Sequence, residues 1–415
     1  MNPAEIFTTA RGLPRSYLAV LAGRTVSELG SEVTVLALPL TAITLLEAGP
    51  AQTGLLLACG RAPNLMIGLF AGVLVDRLPH RCILLTANLM MAVTLATIPI
   101  LASLGQLGMF LLYMATTLVG TAAVIADLAY LACVPTVVDR ARLVRAQSSW
   151  QLSRSGVMAV GPFLAGWLVS AFSAPFAILA DSASFVLATA LLLLVPMRAA
   201  EPPPAGSGSV LGQITEGLTT VFGNPILRAV TLATGSFIFC YNAYSAVFLL
   251  YLTKHLALDG WTTGVVLSIG ALGGVVGALT ASWAGRTIGL GPVLMVALAL
   301  SAAGMTLTAL LTQPRWAAIV CVALSQFVLW FGQEIYNVHQ VLVRYALAPD
   351  RVQGRVNASI RSVVWGLAPL GALLGGVVGA GPGLRTTLLA SSVLGAVSVL
   401  WIWRSPLRHK HSLHL

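Results

Sequence analysis

The chain has 415 residues, of which 57% are hydrophobic and 9% charged, with a net charge of +10. A water-soluble domain carries roughly 25% charged residues, so this composition excludes a soluble enzyme, a disordered chain and a freely diffusing nucleic-acid binder. What the basic excess is for depends on where it sits, because membrane proteins concentrate Lys and Arg in their inner loops.

A helix that crosses a bilayer needs about 20 mostly apolar residues. Apolar runs broken by charge, Pro or Gly predict twelve such spans. In chain order they cover residues 17–46, 52–75, 82–104, 108–132, 147–171, 174–196, 226–252, 261–284, 290–312, 316–342, 358–380 and 384–403. The first apolar run is too long for a cleavable signal and lacks a small-x-small site. Between spans six and seven lies a polar stretch, 198–224, in which Glu201 to Ser209 reads as a flexible linker. The apolar spacing from Val210 to Phe222 predicts a short amphipathic helix on the inner membrane face. The expected organisation is therefore a six-helix bundle over 1–197, a linker over 198–224, and a second six-helix bundle with a short tail over 225–415.

With the N-terminus inside, sixteen Lys and Arg fall in inner segments (counting Arg228 at the inner end of span seven), three (Lys254, Arg315, Arg385) in outer loops and four deeper within spans. This bias predicts an all-α integral membrane protein with both termini in the cytoplasm. It also leaves nothing for a nucleic-acid partner, the lipid bilayer being the expected surroundings. Cys59, Cys82, Cys133, Cys240 and Cys321 lie in or beside apolar stretches without CxxC spacing, so neither a disulfide nor a zinc site is expected. No G-x-x-x-x-G-K-[ST] loop occurs, which excludes an ATP-driven pump within this chain. No H-E-x-x-H or G-x-S-x-G motif occurs either, and no enzymatic activity, cofactor or bound metal is expected. His409, His411 and His414 read as an ordinary tail.

Spans five and eleven share a pattern. Arg154-Ser-Gly-Val-Met-Ala-Val-Gly-Pro162 and Arg361-Ser-Val-Val-Trp-Gly-Leu-Ala-Pro369 both fit R-S-x-V-x4-P, half a chain apart. An internal repeat of six spans is a transporter architecture, with the substrate expected at the repeat interface.

The loop between spans two and three reads Gly72-Val-Leu-Val-Asp76-Arg77-Leu-Pro-His-Arg81-Cys-Ile-Leu84. It resembles the major facilitator signature G-x-L-x-D-R-x-G-R-[KR]-x-x-L, with Pro79 and Cys82 as departures. The resemblance implies that Gly72, Asp76, Arg77 and Arg81 form a cytoplasmic gating motif. Gly161, Pro162 and Gly166 in span five are similar to the G-P-x-x-G-G end of the superfamily's antiporter motif, which implies export. Arg145-Ala-Gln147, Leu179-Ala-Asp181-Ser-Ala-Ser-Phe185 and Pro349 to Val356 look like the bacterial branch of macrolide, enterobactin and antibiotic exporters. Thr116 stands where the superfamily's span-four arginine is usual, which puts the arginine-based coupling scheme in doubt.

Ionisable residues within a membrane cost about 2.5–3.5 kcal/mol each on insertion scales and are functional suspects. Arg24, Glu28 and Glu32 form one stripe on span one. Arg24 with Glu28 reads as an ion pair, and Glu32, left over, as the better protonatable carboxylate. Glu334, the one acid in a second-half span, is the next candidate. Asp127 is a weaker one, since it and Asp181 read mainly as structural. Arg61 and Arg361 are the expected countercharges, and Arg154 the brace at the inner end of span five. Tyr241, Asn242 and Tyr244 of span seven, with Gln326, Gln333 and Asn337 of span ten, are the substrate-cavity candidates. The expected protein is a proton-coupled exporter of amphipathic organic compounds (an antibiotic, a drug or a siderophore-like molecule), acting as a monomer in the bacterial cytoplasmic membrane. A nutrient importer, a metal-ion exporter and a non-transporting receptor are the alternatives.

Overall fold

The computed structural model describes residues 13–66, 78–139, 142–195, 210–310, 314–347 and 353–409. Among them the secondary structure is helical throughout. The first six spans are α1 (Arg15–Thr44), α2 (Pro50–Met66), α3 (His80–Ser103), α4 (Met109–Val137), α5 (Leu143–Phe172) and α6 (Ala174–Leu193). The linker helix is α7 (Val210–Gly223). The rest are α8 (Pro225–Leu250), α9 (Gly260–Ile288), α10 (Leu290–Leu307), α11 (Arg315–Leu347), α12 (Gln353–Ala380), α13 (Leu384–Ala396) and α14 (Ser398–Trp403).

Eleven described segments are long and apolar enough to cross a membrane, α13 and α14 together making one of them. The α2 helix has 17 described residues and ends at Met66, the last described residue of its stretch; counted with the eleven, it gives the expected twelve spans. The protein carries many apolar side chains that water alone would not tolerate: Val144, Leu194 and Leu279 are each more than three-quarters exposed. Such faces belong against lipid tails.

The helices gather into two compact units. The first comprises Met1–Leu46 and Pro63–Gly206, the second Glu47–Ala62 and Ser207–Leu415. Most of α2 thus packs with the second unit, a difference from the expected division at the linker. The cause is local: Gly54 of α2 meets Gly376 of α12 so closely that a Cβ on Gly54 would stand 2.6 Å from the Gly376 Cα.

In the first unit α1 packs along α6 and α5, and α3 along α6 and α4. Small residues set these distances. A Cβ on Gly30 would collide with Ser184 and Asp181 of α6. In the second unit α8 packs on α12, and α11 on α9 and α10. Gly371 and Gly375, one turn apart on α12, bring its backbone against the Phe239 and Ala243 carbonyls of α8, the small-xxx-small mode of membrane helix association.

The linker helix differs from expectation in its surroundings. Near its end Val221 is 1% exposed and packs with Val356, Ile360 and Val364 of α12. That part of its apolar face is covered by protein rather than laid on lipid. The α8 helix ends in a π-helical turn, Tyr251–His255, whose polar tail, Lys254 and His255, precedes Ala257 at positive φ. Composition gave no sign of that turn.

Candidate functional site

Two constellations of polar and charged side chains lie within the spans, one in each unit. In the first, Arg24 of α1 is held on two sides. Its Nε donates to Glu28 Oε1 at 2.7 Å and its Nη2 to Asp127 Oδ1 of α4 at 2.6 Å. The guanidinium lies over Tyr130, 4.4 Å from the ring centroid, with Trp150 of α5 at 5.8 Å. Charge balance explains the pairing: a buried guanidinium needs carboxylates and polarizable faces in place of water. The expected Arg24–Glu28 pair is thus a triad that includes Asp127. The aromatic cage was missed. Asp127 and Tyr130 stand i, i+3 on one helix face, which is the signal that could have found it.

Glu32 lies two turns further along α1 from Arg24. It packs against Gly161 of α5 so tightly that a Cβ there would stand 2.6 Å from the Glu32 Cγ. Glu28 and Arg154 are both close enough to act on its charge. The glycine of the antiporter-like motif and the carboxylate expected to be protonatable therefore meet. Pro162 sits within α5 and Gly166 is buried beside it, while Gly156, which could have belonged to the motif, faces open space. Asp181 of α6 is 1% exposed, and its carboxyl group accepts from Thr34 Oγ1 at 2.5 Å and from Ser184 Oγ at 3.2 Å.

Of the gating motif, Gly72, Asp76 and Arg77 lie outside the described residues. Arg81 donates through Nη2 to the Leu193 carbonyl at 2.8 Å, capping the C-terminal end of α6.

In the second unit the polar residues of α8 and α11 divide. The Tyr244 hydroxyl bonds Thr308 at 2.7 Å and accepts from Gln326 Nε2 at 3.0 Å, and Thr308 in turn bonds Ser325. Asn242 donates to the Ile238 carbonyl of its own helix at 2.8 Å. Tyr244, Gln326 and Asn242, expected at the substrate cavity, are thus at most 3% exposed and occupied with internal bonds. Helical spacing shows which residues share a face but not what the face meets. Tyr241, Gln333 and Asn337 remain half-buried. Gln333 donates weakly to Asn337 at 3.5 Å, and its Oε1 has no protein partner among the described residues. Glu334 stands against Gly274 of α9.

The two arginines expected as countercharges meet no carboxylate among the described residues. Arg61 of α2 lies over the Trp365 indole at 5.8 Å, and Arg361 is exposed one turn before that indole. The helix geometry explains the mismatch: Glu28 and Asp127 are satisfied by Arg24 within the first unit, whereas Arg61 packs with the second.

Comparison with known proteins agrees with this architecture. The Major Facilitator Superfamily model matches residues 20–369. The multidrug efflux pump Tap of Mycolicibacterium fortuitum is 26% identical over 390 residues, covering 89% of this chain and 91% of that protein. The enterobactin exporter EntS of Escherichia coli is 25% identical over 344 residues, covering 82% of this chain and 78% of its own. Among solved structures, the nucleoside transporter NupG aligns with a TM-score of 0.76 at 12% identity, over 94% of this chain and 99% of that one. A bacterial homologue of the iron transporter ferroportin aligns at 0.72 and 17% identity, with the same coverage. A membrane-spanning helical chain with the repeated span-five pattern and the signature residues, matched over most of its length by one family, belongs to the major facilitator superfamily.

Proposed function

We propose that the protein is a proton-coupled exporter of amphipathic organic compounds that works by alternating access. The observation that carries the reading is the seat of Glu32. A carboxylate deep in α1, packed against Gly161 beside Pro162 of α5 and within reach of the charges of Glu28 and Arg154, sits where a change in its own charge would act on helix packing. Protonated, it fits against the Gly161 backbone as a neutral group. Ionised, it is drawn to Arg154 and repelled by Glu28. A transporter driven by a proton gradient needs such a group, with differential stability in its two conformations. The export direction is supported by the relatives, a multidrug efflux pump and an enterobactin exporter.

The test uses proteoliposomes loaded with an amphipathic fluorescent dye, with and without an imposed pH difference. Wild type should move dye against its gradient only when protons can flow the other way. Glu32→Gln should still exchange dye passively, yet fail to accumulate it. Full pH-driven accumulation by Glu32→Gln and by Glu334→Gln, singly and together, would remove both carboxylates from the mechanism. Wild type that accumulates nothing under any gradient would remove the exporter reading itself.

A further inference from the structure

Arg61 and Arg361 are charges within spans that no carboxylate among the described residues neutralises. Arg61 lies eleven residues into α2, about 16 Å from Pro50 at the helical rise, near the middle of a bilayer. A lone cation at that depth is costly, and the fold could have supplied a partner, as it does for Arg24. It supplies aromatic groups instead. The Arg61 guanidinium lies over Trp365. The Tyr241 phenol is close enough to interact with its charge, with Ser245 beside the hydroxyl. Tyr241 in turn meets Trp330 edge-on at 6.0 Å. Arg361, exposed, stands four residues before Trp365 and so on the same face of α12.

This arrangement has a chemical reading. A guanidinium set over an indole makes no hydrogen bond to it, and its N–H edge matches a carboxylate or sulfonate in a forked, charge-assisted pair. A second cation, one helical turn from Trp365 on the same face of α12, adds attraction for the same anion. Tyr241, Trp330 and Trp365 are rings on which an aromatic group can stack. We propose that Arg61 and Arg361 form a binding site for an aromatic organic anion, whose acidic group takes the place of the missing protein carboxylate. The inference rests on the transporter reading and names the charge class of its substrate. An inorganic anion would make no use of the rings, and a lipid headgroup, which shares the anionic chemistry, brings no ring to them.

The experiment is calorimetric titration of the purified full-length protein in uncharged maltoside micelles with three probes on one ring system. They are 2-naphthoate, its methyl ester, and a naphthylmethyl trimethylammonium cation. The expected result is that naphthoate binds at least tenfold more tightly than either of the others. Arg61→Gln and Arg361→Gln should each remove most of that preference and leave the affinity for the ester unchanged, with Arg61→Lys in between. Arg361→Gln alters an exposed side chain and carries the test should Arg61→Gln not survive purification. Equal binding of all three probes, or full naphthoate preference in both glutamine variants, overturns the proposal. So does complete displacement of naphthoate by phosphatidylglycerol, which would assign the site to a lipid headgroup. Because binding is read without transport, the two readings separate. Charge-selective binding without pumping in vesicles would leave this site standing and sink the exporter. Pumping of aromatic cations without naphthoate binding would do the reverse.

Discussion

Gly161 can receive Glu32 because it has no Cβ. Alanine there would place a carbon 2.8 Å from the Glu32 Cβ and 2.6 Å from its Cγ. The root of a side chain on a rigid helix cannot step aside as a flexible tip can, so α1 and α5 must part or Glu32 must change rotamer. Overpacking of this kind costs about 1–3 kcal/mol. Gly161→Ala is therefore expected to lower the melting temperature in detergent and the rate of pH-driven transport together. Gly156→Ala, which meets nothing within 4 Å, should change neither. Equal behaviour of the two variants would deny the contact. The Arg24 triad makes a second prediction. Arg24→Gln leaves Glu28 and Asp127 without their cation, and breaking a buried pair costs about 3–5 kcal/mol. Here Asp127's side chain is 47% exposed, so solvent screens part of the loss and about 1–3 kcal/mol is expected. Adding Asp127→Asn to Arg24→Gln should restore part of the thermal stability. A double variant that melts no higher than Arg24→Gln alone would show that the two do not act as a pair.

Helix packing in lipid depends on small residues, and the α8–α12 seam shows how strictly. A Cβ on Gly371 would stand 2.1 Å from the Phe239 carbonyl oxygen, and one on Gly375 2.2 Å from that of Ala243. Both obstacles are backbone. Gly371→Ala or Gly375→Ala should each destabilise the second unit by about 1–3 kcal/mol, seen as a lower melting temperature. Unchanged melting in both would mean that the seam is looser than described. At this scale the sequence was legible where length and hydropathy decide: the spans predicted for α3, α6 and α9 begin within two residues of the observed helices, and the amphipathic segment is helical from Val210. It was not legible where partner choice decides. The apolar spacing around Val221 is the same whether lipid or α12 covers it. The polar spacing of Gln326 and Tyr244 is the same whether they line an opening or bond one another. Likewise the spacing offered Arg24 its Glu28, but only the packing adds Asp127 to that pair and gives Arg61 an indole in place of a carboxylate.

Across the whole molecule, charge placement is the one long-range signal that needs no contacts. Sixteen of the 23 Lys and Arg fall in segments that the N-terminus-inside reading places in the cytoplasm. The arginines that this reading places outside have local work that accounts for their departure from that bias. Arg385 donates to the Ala309 carbonyl at 2.9 Å and Arg315 to that of Ala257 at 2.8 Å, satisfying carbonyls left open where the chain leaves a helix. A cation that neutralises a helix end acts less as a free topological charge, so the effective asymmetry exceeds the count. Reporter fusions check the orientation directly. Fusions after Arg142 or Arg408 are expected to be active only as cytoplasmic reporters, and those near Ala48 or Lys254 only as external ones. Replacing Arg315 and Arg385 by Gln should leave the pattern intact while lowering thermal stability, because those side chains hold helix ends rather than set direction. A C-terminal fusion active only outside would overturn the even number of crossings and, with it, the cytoplasmic placement of both termini.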